Sequence, residues 1–347
     1  MATYSGSYSF SSIQSAQIIE DAYERLSIIS DSLTSRQILS AQRSLNFIIK
    51  AWYNKGIHLF QVQTALMSLT ENQYAYTLPS NVIDLLEVSI RTSSRLLGGT
   101  ADSSAGTANN AFDADTSTYC DAGINGWISY EYSSNTLIEM VGIQSETTTD
   151  YTIELQYSYD GTNWYTLQTE AQTSYAAGTI QWISVASPVS APYFLILETG
   201  GADLNIEELY LNANLYDTQI ARVSRYEWMA NPQKNQTGKP GNFYLDRQIT
   251  PIINLWPAPS ASYNTLFYSY TSEVEDVGAL TDTIAIPSRF LEAITARLAF
   301  NLAVKEGKLD RIEFLKNYSD ELFSNAQEED TERVPLRLMI DSKGYYE

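Results

Sequence analysis

The sequence predicts an α+β multidomain chain: an antiparallel helical bundle with a small β part, interrupted by an inserted all-β, jelly-roll-like sandwich. Three observations lead there. Apolar residues recur every three or four positions near both ends of the chain. From about Gly106 to Leu211 the repeat is two, with turn residues between short runs. The 347 residues also exceed the roughly 100–200 that one core usually organises.

In the first segment Ile18, Ile19, Ala22 and Leu26 mark one helical face. A second helix opens at Thr34, whose hydroxyl can cap the first turn while Gln37 reaches back to it. Ile38, Ala41, Leu45, Ile48 and Trp52 share its apolar face, and Gly56 ends it. The short connection at 30–33 makes this pair antiparallel. Residues 74–79 and 82–90 read as strands around a Pro-Ser-Asn turn. Residues 98–106 are small and read as a linker. Beyond them Tyr151, Ile153, Leu155, Tyr157 and Tyr159 alternate with polar residues, and Asp160-Gly161 before Trp164 is a hairpin-turn signal. Strands follow at 180–183 and 193–197, the second apolar on both faces. About seven or eight short strands at this spacing imply a sandwich. After Leu211 the flanking part resumes with strands near 254–257 and 266–270. Pro287 then leads a helix through Leu291, Ile294, Leu298 and Leu302 that ends near Gly307. Asp310 opens another through Ile312, Leu315, Tyr318 and Leu322. Helices at both ends with strands between them predict that the ends meet in one bundle. The segments are then 1–97 and 213–328 for the interrupted body, 98–212 for the insert and 329–347 for a C-terminal arm.

Composition narrows the function. Asp and Glu outnumber Lys and Arg by 41 to 21, a formal charge of −20. Tight nucleic-acid binding comes mostly from cations neutralising phosphates, so specific DNA recognition is not expected. The acidity serves solubility, or a channel wall past which DNA slides without sticking. No run approaches the roughly 18–20 apolar residues of a membrane span, and residues 1–8 lack a signal-peptide pattern, so a cytosolic chain without membrane contact is expected. The lone Cys120 forms no intramolecular disulfide, and the lone His58 excludes a multi-His zinc site. His58 reads as a packed or solvated residue at a helix end, not part of a Ser-His-Asp triad. Cys120 has no His base within its segment, and Gly98-Gly99 lacks the Lys and spacing of a phosphate loop. Acidic residues are numerous enough for a glycosidase pair, but the chain is read as non-enzymatic. The 25 Tyr and six Trp suit strand faces and cores, and also subunit interfaces and glycan-binding faces. Arg222, Arg225, Arg247, Arg289 and Arg297 are placed to pair with carboxylates, of this chain or of an acidic neighbour.

The flanking parts resemble podophage head-to-tail adaptor proteins. The resemblance rests on Leu45-Asn46 through Trp52 to Gly56, then Tyr76-Thr77-Leu78-Pro79 with Ile83-Asp84. It continues through Ser224-Arg225-Tyr226-Glu227-Trp228, Gly238-Lys239-Pro240, Tyr244, Asp246-Arg247-Gln248 and Leu255-Trp256-Pro257-Ala258-Pro259, followed by an Ala-rich helix at 290–305. It implies a homo-oligomeric, dodecameric ring under the portal protein that extends the DNA channel and attaches tail nozzle and fibre or tailspike proteins. Such a chain would be assembled in the host cytoplasm and end in the virion neck. Residues 329–341 lose helical period yet keep apolar side chains. Arg333, Val334, Pro335, Leu336, Leu338, Met339 and Ile340 are therefore read as an arm that orders on a neighbour, with a frayed tail as the other reading.

The insert resembles discoidin-type galactose-binding domains through residues 110–118, Trp127-Ile128-Ser129, the stretch 157–164 and Glu208-Leu209, although Tyr119-Cys120 stands where that family commonly has Trp. In many sugar-binding relatives the positions of Asp113, Asp115, Thr118 and Glu208 line a structural calcium site. Hard oxygen ligands on a tight loop suit calcium, while a turn held by its own hydrogen bonds is the other reading. No cofactor is expected to be required, calcium in the insert being an optional ion. The expected function is the structural adaptor; the alternative is a carbohydrate-binding module protein whose sandwich carries the function.

Overall fold

The computed structural model describes residues 13–29, 32–53, 61–171, 174–284 and 286–329. Five α-helices occur among them: α1 (Ser15–Glu24), α2 (Ser35–Tyr53), α3 (Arg225–Ala230), α4 (Leu291–Glu306) and α5 (Ile312–Glu329). The chain divides into two compact units. One joins Met1–Gln63 to Thr271–Glu347, and the other is Thr64–Tyr270.

In the first unit α1, α2, α4 and α5, from opposite ends of the chain, close on one core. Ile18, Ala22 and Leu26 of the leading segment and Leu45, Ile48 and Trp52 of α2 pack with Leu291, Ile294, Leu298 and Leu302 of α4 and Leu315 and Phe323 of α5. The three-and-four spacing puts these residues on one side of each outer helix. The inner helix α4 also buries Ala293, Ala296, Ala299 and Ala303, so small residues fill its remaining sides and neighbours approach closely. The α2 cap forms as the Thr34–Gln37 spacing requires: the Thr34 amide and hydroxyl donate to Gln37 Oε1 at 3.0 and 2.8 Å, and the Gln37 amide donates to the Thr34 hydroxyl oxygen at 3.3 Å. Gly307 ends α4 at φ 71°, a left-handed position open to glycine. Polar contacts tie the two ends of the chain together. Asn46 accepts from the Val277 amide at 3.0 Å and donates to the Val277 carbonyl at 3.2 Å. Arg311 donates to the Arg25 carbonyl at 2.7 Å.

Among the described residues the second unit is β except for α3 and one short 3-10 turn, Ala108–Ala111. A seven-stranded sheet runs, in spatial order, through Val62–Ser68, Thr265–Ser272, Val82–Arg95, Asp203–Gln219, Met140–Ser145 and Ile180–Ser184, with Cys120–Ile124 also on Asp203–Gln219. A five-stranded sheet runs Thr100–Ser103, Trp127–Leu137, Ser190–Glu198, Thr152–Ser158, Tyr165–Ala171. Ile128, Tyr130, Ile153, Leu155, Phe194 and Ile196 of the five-stranded sheet meet Val141, Ile143, Leu204, Ile206, Leu209 and Leu211 of the other in one sandwich core. Smaller sheets, including Asn242–Asp246 against Ile252–Trp256, bury Phe243, Leu245, Ile253 and Leu255 with Leu85, Val88, Leu266 and Tyr268 in a neighbouring core.

The strand Asp203–Gln219 serves both cores. Its first half pairs with Cys120–Ile124 and Met140–Ser145, and its second half pairs with Val82–Arg95, from Asn212 opposite Arg95 to Gln219 opposite Ser89. The chain enters and leaves the sandwich on neighbouring antiparallel strands, so the detour leaves the host sheet's pairing intact.

The linker expected at 98–106 is instead an edge strand. Thr100–Ser103 pairs antiparallel with Trp127–Leu137, from Thr100 opposite Glu131 to Ser103 opposite Ile128. Its small residues serve close approach: a Cβ on Gly99 would lie 2.1 Å from the Glu131 carbonyl oxygen. One further expectation changes: Tyr159 falls after the strand Thr152–Ser158 ends and is exposed. The strand Val62–Ser68 adds to those read from sequence.

Candidate functional site

The outer face of the five-stranded sheet forms a cleft of about 640 Å³. Strand alternation builds it. Along Trp127–Leu137 the side chains of Ile128 and Tyr130 go to the core, so those of Trp127, Ser129 and Glu131 face outward. Along Ser190–Glu198 the core takes Phe194 and Ile196, leaving Tyr193, Leu195 and Leu197 on the outer face. Cross-strand register then sets three rows. Trp127, Leu197 and Glu154 stand side by side; so do Asp102, Ser129, Leu195 and Gln156; so do Thr100, Glu131 and Tyr193. The result is an apolar floor of Leu195 and Leu197, aromatic walls, and carboxylates and amides at the edges. Aromatic faces with a few directional polar groups are the usual make-up of a small-ligand site.

A tight turn closes one end. Asp160 accepts from the Asn163 and Thr162 amides at 2.8 and 2.9 Å and from the Asn163 side chain at 2.7 Å. Those bonds, the Asn163 amide foremost, hold its carboxyl well below the usual range. Gly161, at φ 69°, lies against the Tyr193 ring, 3.3 Å from where its Cβ would be. The turn delivers Trp164 edge-on to Tyr193, with ring centroids 6.5 Å apart at 78°. The Tyr193 hydroxyl donates to Glu131 Oε1 at 2.7 Å, and this bond to a carboxylate pushes the phenol's pKa up, so it stays protonated.

The four residues singled out as calcium ligands divide. The Thr118 hydroxyl donates to Asp113 Oδ2 at 2.8 Å, and Asp113 Oδ1 accepts from the Asp115 amide at 2.9 Å. Ala114 between them sits at φ 62°, a left-handed conformation that folds the loop back on itself. The Asp115 carboxylate turns away to its own loop, accepting from the Ser117 hydroxyl at 2.6 Å and amide at 3.0 Å, which lowers its pKa. Glu208 is 0% exposed. Burial pushes its pKa up, opposed by the Arg95 guanidinium 2.5 Å from Oε2, while Asp113 adds a repulsive charge. Its Oε1 is buried with no partner at hydrogen-bond geometry, while the Ala114 backbone amide acts on the carboxylate from the loop and lowers its pKa. Asp113, Thr118 and Glu208 thus converge, and Asp115 joins them through its backbone carbonyl, which accepts from Thr118 at 3.0 Å. No cluster of three or more His, Cys, Asp or Glu fit to hold a metal occurs among the described residues, so a cation here would need hydroxyl and backbone oxygens as well.

Other sequence candidates have these positions. Cys120 is fully buried in the sandwich core with its thiol pKa raised by burial, unsuited to a nucleophile. Arg222 and Arg247 both pair with Asp84, and Arg297 pairs with Asp320 at 3.2 Å, all within the chain. His58 and the arm residues Arg333, Val334, Pro335, Leu336, Leu338, Met339 and Ile340 lie outside the described residues.

Residues 89–208 match the family model for the F5/8 type C domain. This segment is an F5/8 type C domain. The match starts within strand Val82–Arg95 and ends within strand Asp203–Gln219, so the F5/8 type C domain includes the cleft and the Asp113 loop. Similar solved structures include chitosan-binding module 1 of a chitosanase/glucanase from Paenibacillus sp. IK-5, at 24% identity and a TM-score of 0.29, covering 35% of this chain and 96% of that one. The family 32 module of Clostridium perfringens NanJ in complex with galactose is similar at 14% identity and a TM-score of 0.31, covering 36% and 100%. No curated protein matches this chain.

Proposed function

We propose that the chain is a non-enzymatic glycan-binding protein whose ligand lies in the outer-face cleft of its F5/8 type C domain. The observation that carries this is the arrangement of Trp127, Trp164 and Tyr193 around Leu195 and Leu197, with Asp102, Glu131 and Gln156 at the margins. Sugar rings present C–H faces that pack on aromatic rings and hydroxyls that carboxylates and amides hydrogen-bond. The test is a glycan array with the whole protein, followed by titration of any hit against Trp127→Ala and Trp164→Ala. Loss of binding in both variants at unchanged melting temperature supports the site, and retention in both rejects it. Within the same domain, Asp113, Thr118 and Glu208 with backbone carbonyls of their loop would hold a calcium ion; the buried Glu208 Oε1, with no partner at hydrogen-bond geometry, favours this.

A second reading concerns the body around the domain: a head-to-tail adaptor of a short-tailed phage, forming a ring under the portal and carrying tail components, in the virion neck. The observation in its favour is that α1 and α2 share one core with α4 and α5, so the polypeptide closes a single helical unit after the whole β excursion. The domain would then be the adaptor's glycan- or protein-docking module. Mixing the chain with a portal ring and imaging by electron microscopy tests it: a ring of this chain seated on the portal supports the reading, and free monomers beside empty portals reject it.

A further inference from the structure

The charge distribution of the insert narrows the ligand, and the following rests on the cleft being a sugar site. Between Gly98 and Asn212 the chain has fifteen Asp and Glu and no Lys, Arg or His. The cation adjoining the segment, Arg95, pairs with Glu208 on the seven-stranded sheet, so the five-stranded sheet that floors the cleft carries no basic residue. Two carboxylates stand at the cleft on neighbouring strands. Asp102 is opposite Ser129, and Glu131 lies two residues further along the same face, opposite Thr100. Asp102 Oδ1 accepts from the Ser103 amide at 2.9 Å, and Glu131 Oε1 accepts from the Tyr193 hydroxyl. Each keeps its second oxygen without a partner among the described residues.

We propose that this cleft takes a glycan bearing free primary amines, an amino sugar in its ammonium form, in preference to neutral, N-acetylated or acidic sugars. An ammonium group has three donors and a full charge, matching two carboxylate oxygens that no protein cation neutralises. A neutral ring over the same floor would strip water from those carboxylates without cancelling their charge. A uronate, sulfate or phosphate would meet repulsion from Asp102, Glu131 and the domain's other carboxylates. Trp127 and Trp164 line the same cleft, and an indole ring attracts a cation placed over its face.

The test uses the whole protein, titrated calorimetrically with chitosan oligosaccharide, its fully N-acetylated counterpart, a galacturonate oligomer and spermine. The chitosan oligosaccharide is expected to bind roughly tenfold or more tightly than the N-acetylated form. That preference should shrink in high salt and collapse toward unity in Glu131→Gln and Asp102→Asn at unchanged melting temperature. Equal or tighter binding of the N-acetylated oligomer overturns the inference but leaves the cleft a sugar site. So does a preference that survives both substitutions, which would place the cation elsewhere on the acidic surface. Spermine binding as tightly as the chitosan oligosaccharide also overturns it, since the site would then read charge without sugar. Absence of binding by every sugar sinks both this inference and the glycan reading beneath it.

Discussion

Removing Arg95 should expose how the F5/8 type C domain tolerates a fully buried carboxylate. Glu208 is 0% exposed and Arg95 has 18% of its side chain exposed. The guanidinium also donates to the Leu209 carbonyl at 3.2 Å and lies 4.4 Å over the Tyr210 ring. Arg95→Met keeps most of the packing over Tyr210 but leaves Glu208 uncompensated. Breaking a buried ion pair in this way costs about 3–5 kcal/mol, and partial solvent access to Arg95 puts the expectation at the lower end, about 3 kcal/mol. For a unit of this size that is a melting temperature lower by about 6–12 °C at pH 7. Burial already raises the Glu208 pKa, so the folded chain takes up this proton more readily than the unfolded chain. The residue therefore favours the fold below its unfolded value, and that contribution fades as pH rises through the folded value. Without Arg95 the folded value moves higher still, so the variant's deficit should shrink on going from pH 7 to pH 5, by up to about 1.4 kcal/mol for each pH unit within the window. Melting by circular dichroism at both pH values, with the double variant Arg95→Met/Glu208→Gln as control, checks this. The control should recover most of the loss. An Arg95→Met protein as stable as the parent at pH 7, or one with equal deficits at both pH values, would refute the reasoning.

Other substitutions probe other links. Gly142→Ala should destabilise the sandwich by about 1–3 kcal/mol in chemical denaturation, because its Cβ would sit 2.4 Å from the Trp182 ring, which must move off the sheet. Leu298→Ala should cost about 2–5 kcal/mol, since α4 is enclosed by helices from both ends of the chain; a loss under about 1 kcal/mol would mean that α4 is not central. Calcium is expected to raise the melting temperature of the parent and not of Asp113→Ala, as read by differential scanning fluorimetry with and without chelator. Tyr193→Phe removes the hydroxyl that orients Glu131 and should weaken glycan binding about fivefold to tenfold without changing stability, checked by calorimetric titration.

The elements that could be read from sequence are those whose pattern is local. The Thr34–Gln37 cap, the faces of α2 and α4, and the left-handed stop at Gly307 each lie within one or two helical turns. The double-sided apolarity of 193–197 also has a local cause: Phe194 and Ile196 fill the sandwich core while Leu195 and Leu197 floor the cleft. What escaped depends on pairing between distant segments. Thr100–Ser103 becomes a strand only because Trp127–Leu137 lies beside it, and nothing in its small residues announces that. Asp102, Glu131 and Tyr193 likewise become neighbours through register alone. The outward alternation of Trp127, Ser129 and Glu131 was the available signal. The calcium candidates come from positions that the resemblance to sugar-binding domains implies, and the loop adds what position alone does not carry: Asp115 spends its carboxylate on Ser117, and Glu208 meets an arginine from a strand more than a hundred positions earlier in the chain.

The side-by-side passage of Arg95 and Asn212 has a mechanical corollary. A tug applied through a captured ligand reaches the rest of Thr64–Tyr270 along two adjacent antiparallel ribbons, each continuous with the host sheet, instead of through a hinge. Pulled in the same direction, the two ribbons do not slide past each other, and their pairing from Arg95–Asn212 to Ser89–Gln219, with one bulge between Ala213 and Tyr216, keeps them together. The module should therefore behave as a stiff handle, with single-molecule extension giving way inside the sandwich before its two roots separate.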